Sequence, residues 1–402
     1  KGIAKVGNIL RNPKALYKIY KMPWIVYLWG MAKRKSEESV SKKIISSLIW
    51  LGTLPLCLYT LLTYLLSYSL IIDHWLAGFI MMTLPYAQLL CLISLIYWLF
   101  RRAKRALLPL MVLALGYGFI TRSIAWNTAI PTTKKNLRVL SYNVYGMYSN
   151  NYVGNEEKVK ALKSFMLDYD ADIKCFQEFY SHSDRKAFHT VSFLKEKYPH
   201  YAFIPLKKQL FDSHEKMGLV VFSKYPIIHE EGEQFENSAN GYLLTDIVKD
   251  QDTIRVINLQ LWSMGIRVNK MTSKIRLQDY TDAKKEGRGI ISSLRKGFIE
   301  HKKEMDKINR LIQKSPYPII VVGDLNETPS GWAYGTIRER LKNSFEEAGS
   351  GFGFTLNRSP YLVRIDDQFF SKEWKATNFQ TLRNIKYSDH FPTVGQYILH
   401  GK

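Results

Sequence analysis

Asp324 and Asn326 place a carboxylate and a carboxamide two positions apart in PIIVVGDLNETP, residues 318–329. Five apolar residues, Pro318 to Val322, rise to a glycine, the pattern of a buried strand. Residues i and i+2 at a strand end point the same way, so the two polar groups are expected to face one spot. The same thing happens elsewhere in the chain. Asn143 follows LRVLSY, Glu178 ends IKCFQ, Asp366 follows Arg364-Ile365, and Ser388-Asp389-His390 precedes the last apolar run. Each residue alone could be a turn or a cap. Recurrence at the ends of five apolar runs points to one shared site.

The set is rich in carboxylate and amide oxygens and contains one histidine. Hard oxygen ligands suit Mg²⁺ or Mn²⁺ and exclude a zinc centre. Mg²⁺ takes only one or two protein carboxylates and fills its remaining positions with water and substrate phosphate oxygens. The expected chemistry is metal-assisted hydrolysis of a phosphate ester.

These residues need a sheet to hold them. Nine strand candidates recur from about residue 136: LRVLSYNVY, IKCFQEF, YAFIPL, MGLVVFS, YLLTDIV, TIRVINLQL, PIIVVGDLN, RIDDQFFS and FPTVGQYIL. Between them lie two amphipathic helices. One is EEKVKALKSFMLDY, with Val159, Leu162, Phe165 and Met166 on one face. The other runs from about Thr281 to Lys314, and its apolar stripe (Ile290, Ile291, Leu294, Phe298, Met305, Ile308, Leu311) is read as core. Residues 136–402 thus form one α+β domain.

The first third of the chain is different. Residues 1–130 carry 16 Lys+Arg against 3 Asp+Glu, whereas residues 131–402 carry 41 against 32. The basic excess surrounds apolar segments, which points to a membrane surface rather than to nucleic acid. Residues 1–44 read as a basic amphipathic segment lying on an anionic leaflet. Residues 45–122 read as three transmembrane helices: Ile45 to Ile72, Trp75 to Phe100, and a shorter Ala106 to Thr121 with Arg105 and Arg122 snorkelling from its ends. Residues 123–135 read as a linker. Basic residues at the tail and at Arg101–Arg105 mark the cytoplasmic side, so three spans put the domain on the periplasmic side of the inner membrane. Cys57, Cys91 and Cys175 offer neither a disulfide framework nor metal-ligand spacing.

The series SYNVYG, FQEF, GLVVFSKYPI, GDLNETPSGWAYG, RIDD and YSDHFP resembles the endonuclease/exonuclease/phosphatase family, over about residues 136–400 and in that family's order. The overall texture resembles its membrane-anchored bacterial branch. The resemblance implies a DNase I-like four-layer α/β/β/α sandwich. It implies that Glu178 is the principal ligand of Mg²⁺ or Mn²⁺, with Asn143 beside it and Asp389 close by. It implies that Asp324 orients or deprotonates the attacking water and that Asn326 hydrogen-bonds a phosphoryl oxygen. Asp366 then orients His390, which stabilises the transition state. One position departs from the family pattern: Gln260, in INLQL, stands where many members have histidine. Glutamine donates a hydrogen bond but carries no proton near neutral pH, and losing a general acid costs on the order of 10²–10⁴ in rate.

The expected function is a membrane-anchored phosphodiesterase or phosphatase, with the lipid bilayer as its partner and a phospholipid or other lipid-linked phosphate within reach. Two other readings stay open. One is an extracytoplasmic nuclease using the basic stretches Lys284–Arg288 and His301–Lys303, which also read as a solvated helix face. The other is a catalytically impaired scaffold in a membrane-protein complex, prompted by Gln260.

Overall fold

The computed structural model describes residues 40–69, 74–131, 136–206, 214–236, 238–264, 280–358 and 361–399. The expectations for residues 1–39 and for Asp73 lie outside the described residues. The chain has two compact units, Lys1–Leu56 and Cys57–Lys402.

The apolar region builds helices α1 (Val40–Ser69), α2 (Trp75–Met82), α3 (Leu84–Arg101), α4 (Ala103–Leu115) and α5 (Tyr117–Ser123). Two of them are long and apolar enough to cross a membrane, α1 over Lys42–Tyr68 and α3 over its full length. Their outward faces carry exposed Leu58, Leu62, Leu65, Leu89, Ile93 and Leu99, an apolar density that marks a membrane or partner surface. The second expected span is broken. The chain turns at Thr83, and Pro85 lies in the first turn of α3 where no donor is needed. The third is also broken, since α4 and α5 meet at Gly116 with a bend of 63°. Gly116 leaves room there for the Tyr64 hydroxyl, which would lie 1.9 Å from an added Cβ and would have to move. Gln88 Nε2 donates to that hydroxyl at 3.1 Å and to the Gly116 carbonyl at 3.3 Å. This polar contact ties α1, α3 and the bend together.

Next along the chain come β1 (Ala125–Trp126), β2 (Leu137–Asn143), α6 (Glu156–Asp168), β3 (Ile173–His182), α7 (Thr190–Leu194), β4 (His200–Pro205), β5 (Glu215–Ser223) and β6 (Ile227–Gln234). They are followed by β7 (Gly241–Lys249), β8 (Asp252–Gln260), α8 (Tyr280–Gln313), β9 (Ile319–Asp324), α9 (Trp332–Arg338), β10 (Lys342–Asn343) and α10 (Ser344–Ala348). The last strands are β11 (Ser350–Gly351), β12 (Asp366–Phe370), β13 (Trp374–Thr381) and β14 (Thr393–Leu399).

Two six-stranded sheets result, ordered β13-β14-β2-β3-β5-β4 and β10-β12-β9-β8-β7-β6. Only β2–β3 and β8–β9 are parallel pairs within them. Val139, Ile173, Cys175, Leu219 and Val221 of the first sheet meet Leu243, Val256, Ile320 and Val322 of the second in a shared core. Outside the first sheet, Val159, Leu162 and Met166 of α6 cover Leu140, Phe176 and Val220. Outside the second, Met305, Ile308 and Ile312 of α8 and Ile337 of α9 cover Ile257, Leu259 and Val321. The architecture is the four-layer α/β/β/α sandwich. Because β9 is buried on both faces, its sequence reads as a continuous apolar run rather than an alternation.

Three expectations change here. The segment 123–135 is tied down wherever it is described: β1 pairs with β11, and the Ile130 N–H donates to the Thr377 carbonyl at 2.9 Å. Arg122 does not snorkel. It is 6% exposed, lies over the Phe119 and Tyr334 rings, and donates to the Pro329 carbonyl at 3.3 Å. Ile291 leaves the core, being 51% exposed beside α2, because the first turns of α8 face the apolar helices instead of the sheet.

Candidate active site

The polar residues singled out at the strand ends converge at one end of the sandwich, and the backbone is bent to bring them there. Glu178 sits where the pairing of β3 with β5 slips between Phe176 and Phe179, with φ +52. A bulge of this kind re-aims one side chain. Gly323 has φ +141, and a Cβ there would lie 1.9 Å from the Leu259 carbonyl oxygen. Only glycine lets β9 approach β8 this closely. Asn326 has φ +49, so the chain has already left the strand geometry from which a common direction for Asp324 and Asn326 was expected. The two are joined differently: the Asn326 N–H donates to Asp324 Oδ1 at 2.8 Å. The Asn326 amide donates to the Leu261 carbonyl at 2.9 Å, which makes it a brace between β8 and the loop after β9.

Asn143 is the hub. Its Nδ2 donates to Glu178 Oε1 at 3.1 Å and to Asp324 Oδ2 at 3.1 Å, bridging carboxylates from different sheets. Gln260 Nε2 donates to the same Glu178 oxygen at 2.8 Å. Gln260 therefore holds the glutamate and its buried side chain is not idle. His390 Nδ1 lies 2.8 Å from Asp366 Oδ2, while its Nε2 is 3.9 Å from both Asp324 Oδ2 and Asp389 Oδ1. All eight residues thus belong to one chain of contacts, Gln260–Glu178–Asn143–Asp324–His390–Asp366, with Asn326 and Asp389 at its sides.

Burial opposes a charge on His390, but the carboxylates of Asp366, Asp324 and Asp389 outweigh it and hold the imidazole above its usual range. Burial, reinforced by Asp366 on the neighbouring strand, pushes the Asp324 carboxyl up. A cation at His390 beside a carboxyl that resists ionisation is an arrangement that can hand a proton over at near-neutral pH.

Several supporting residues were not anticipated. Gln177 Nε2 donates to Asn258 Oδ1 at 2.7 Å, and Asn258 Nδ2 donates to the Phe176 and Val220 carbonyls, so an amide pair bolts the two sheets together beneath Glu178. Both lie inside apolar strands, CFQEF and INLQL, and a polar residue at such a position is a usable signal. Arg358 Nε donates to Asp389 Oδ2 at 2.7 Å; Ser388, singled out in the sequence beside Asp389 and His390, donates from its Oγ to the Asn143 carbonyl at 2.7 Å. Arg358 lies in a loop with no local pattern to expose it. His301 is fully buried, 3.2 Å from Glu327 and 2.9 Å from the Trp262 carbonyl. It is no part of a solvated face or a nucleic-acid contact. Glu327 in turn accepts from the Trp332 and Ala333 N–H groups at the start of α9, fixing the loop that follows Asp324.

The donor set fits Mg²⁺ or Mn²⁺. Glu178 Oε2 takes no hydrogen bond among the described residues and is the carboxylate oxygen left for such a cation, whereas Asn143, expected beside it as a ligand, turns its nitrogen to Glu178 and its oxygen to the Tyr145 N–H at 3.0 Å. Asp324, Asp366 and His390 also cluster closely. Within that trio Asp366 already takes His390 Nδ1 at 2.8 Å, which leaves that nitrogen closed to a cation.

A family model described as endonuclease/exonuclease/phosphatase family matches residues 140–390. A second, described as a domain of unknown function, matches residues 46–123. No curated protein matches. Among solved structures, the chain is similar to the human nocturnin catalytic domain with bound sulfate at 16% identity, with a TM-score of 0.47 and cover of 67% of this chain and 96% of that one. It is similar to a humanized D. rerio TDP2 at 15% identity, TM-score 0.46, covering 66% and 99%. A mannosyl-6-phosphatase of Bacteroides thetaiotaomicron shows 17% identity, TM-score 0.46, covering 65% and 100%.

Proposed function

Because the chain belongs to the endonuclease/exonuclease/phosphatase family, whose members are phosphoric ester hydrolases, we propose that it is a divalent-metal-dependent phosphodiesterase or phosphatase held at a membrane. The observation that carries this reading is the geometry of His390. Its Nδ1 is taken by Asp366 at 2.8 Å, so the Nε2–H is the donor left for an incoming group, and it stands 3.9 Å from two carboxylates, too far to be spent on either. A charged imidazole aimed at a phosphoryl oxygen offsets the charge that develops there.

Asp324, with Asn143 fixing one oxygen and the Asn326 N–H the other, orients the attacking water and accepts its proton as the P–O ester bond breaks, and the departing oxygen takes its proton from solvent. Glu178, positioned by Asn143 and with Asp389, would hold Mg²⁺ or Mn²⁺, which supplies Lewis-acid neutralisation of the phosphate. Gln260 keeps Glu178 in place through its amide. No step in this scheme calls for a proton at position 260, so the missing histidine does not by itself abolish turnover.

The substrate is a phosphate ester at the bilayer surface, since α1 and α3 are built to lie in lipid. Arg101, Arg102, Lys104 and Arg105 at the α3–α4 junction mark a cytoplasmic end. Counted as one bent span, α4–α5 then carries the sandwich to the extracytoplasmic side, which a reporter fused at the C-terminus tests. The activity is tested with purified full-length chain on a chromogenic phosphodiester and on phospholipid vesicles, with Mg²⁺ or with EDTA. Turnover that survives EDTA, or that survives Asp324→Asn, sinks the proposal.

A further inference from the structure

Beside the loop after β9 opens a narrow cleft with a cavity volume of about 70 Å³. Its walls are apolar: Met82 from α2, Met264 after β8, Phe298 from α8, and Val363 and Ile365 ahead of β12. Its rim is not. Asn326 lines it, and so does Arg358, whose guanidinium grips Asp389. The cleft therefore begins at the catalytic residues and ends on α2, a helix of the apolar region.

The same α2 continues the apolar surface outward. Trp75, Phe79 and Met82 pack on Met264, Leu294 and Phe298, and Gly78 lets the Phe298 ring come within 2.5 Å of where a Cβ would stand. On its far side a second, open groove is lined by Tyr59, Trp75, Phe79, Ile80 and Ile291. This groove explains why Ile291 is exposed rather than packed on the sheet. Two grooves, one at the catalytic rim and one toward α1, thus share the single short helix α2.

We propose that the inner cleft takes the first methylenes of an alkyl chain, and that the substrate is an amphiphilic phosphate ester whose apolar portion runs over α2 toward the membrane. This rests on the phosphoesterase reading only for where the phosphate sits. Two methionines and branched aliphatics fit a flexible chain, because thioether side chains adapt to irregular apolar shapes. A nucleobase would need free donors and acceptors for its edges. Ser263 and Thr328 also line the cleft, but Glu327 is taken by the Trp332 and Ala333 N–H groups, Arg358 by Asp389 and Asn326 by the Leu261 carbonyl.

The test is binding of n-alkyl phosphates, methyl to octyl, to full-length Asp324→Asn protein in nanodiscs, with uptake by empty nanodiscs subtracted. Affinity is expected to rise about fourfold per methylene over the first few carbons, the fold-change equivalent to about 0.8 kcal/mol per buried CH₂, and then to level off. Met264→Ser is expected to flatten that rise, and Val363→Trp, which fills the cleft, to bring the plateau to shorter chains. The slope is read within each protein, so a general loss of affinity cannot imitate the effect. Affinity independent of chain length, no binding of any member, or a slope untouched by both variants overturns the proposal. Hydrolysis of phosphate esters without a chain-length slope overturns the cleft's role alone. A slope without hydrolysis by wild-type protein supports the cleft and overturns the phosphoesterase reading.

Discussion

Replacing Asn143 by Asp exchanges one heavy atom, nitrogen for oxygen, and tests the centre of the site. The Asn143 amide nitrogen sits 3.1 Å from Glu178 Oε1 and 3.1 Å from Asp324 Oδ2, giving one hydrogen to each. A carboxylate oxygen in its place would face two others at that distance, with repulsion of about 5 kcal/mol from each at an effective dielectric near 20. The folded protein avoids this by keeping the new carboxyl protonated. Holding a proton at pH 8 on a group of unfolded pKa about 3.9 costs roughly 5.5 kcal/mol, and at pH 5 about 1.5 kcal/mol. The folded pKa is raised, so the variant loses stability as pH rises above the unfolded value. Its deficit against wild type should therefore grow by about 4 kcal/mol between pH 5 and pH 8. A neutral carboxyl can also donate to only one of the two partners, and a lost hydrogen bond to a charged group is worth about 1.5–3 kcal/mol. Turnover should then fall on the order of 10- to 100-fold even where the protein is folded. The assay is the urea midpoint of both proteins in EDTA at the two pH values, with turnover of a phosphodiester in Mg²⁺. A deficit equal at pH 5 and pH 8, together with turnover within threefold of wild type, would show that Asn143 does not bridge the two carboxylates.

Asp366→Asn removes the nearest of the charges that hold His390 above its usual range. The stability contributed by the protonated histidine is complete below about pH 6.5 and is lost as pH rises through about 10, so the variant's deficit should be larger at pH 6 than at pH 10; an equal deficit at both would contradict the assignment. Gly323→Ala should destabilise on the order of 3 kcal/mol or prevent folding, given φ +141 and the Leu259 carbonyl in the way. Gly289→Ala, within α8 with nothing near its Cβ, should stabilise by about 0.5–1 kcal/mol, and matched denaturation curves for the pair read both signs. Glu178→Gln should raise the Mg²⁺ concentration needed for half-maximal turnover at least tenfold, which a metal titration of the EDTA-stripped protein measures.

The sandwich was legible because its strands obey simple rules. All nine runs picked out by apolar patterning are strands in the structure, and α6 and α8 begin and end within a residue or two of where their stripes placed them. Strand β6 escaped notice because IIHEEGEQ is exposed along most of its length, so it carries no alternation between core and solvent. Strand β13, WKATNFQT, mixes buried and exposed polar residues and hides for a similar reason. The residue types at the site were visible as polar groups ending apolar runs. Their connections were not, because Asn143 meets Asp324 across 181 positions of sequence and no local pattern encodes such a contact. The bend at Gly116 is invisible to hydropathy, which counts apolar residues and is blind to a tyrosine hydroxyl that occupies the space beside a glycine. Arg122 was misread for a related reason. An arginine at the end of an apolar run suggests lipid headgroups, whereas here its partner is the Pro329 carbonyl 207 positions away.

That contact belongs to a splice rather than a tether. The Arg364 guanidinium donates to the Arg122 carbonyl and pairs with Asp367, immediately next to Asp366. Beyond it, β1 adds to β11, and Asn127 donates to the Glu346 and Gly349 carbonyls. In this way α5 is joined to the loops that follow β9 and precede β12 by hydrogen bonds and an ion-paired arginine, not by a bare linker. If the apolar helices lie in a bilayer, the site works at its surface. Its encounter with substrate is then governed by surface density and lateral diffusion, not by bulk concentration. Cutting the chain at residue 136 to obtain a soluble enzyme would remove the Arg122 carbonyl from Arg364 two residues ahead of Asp366, and so loosen the site it was meant to isolate.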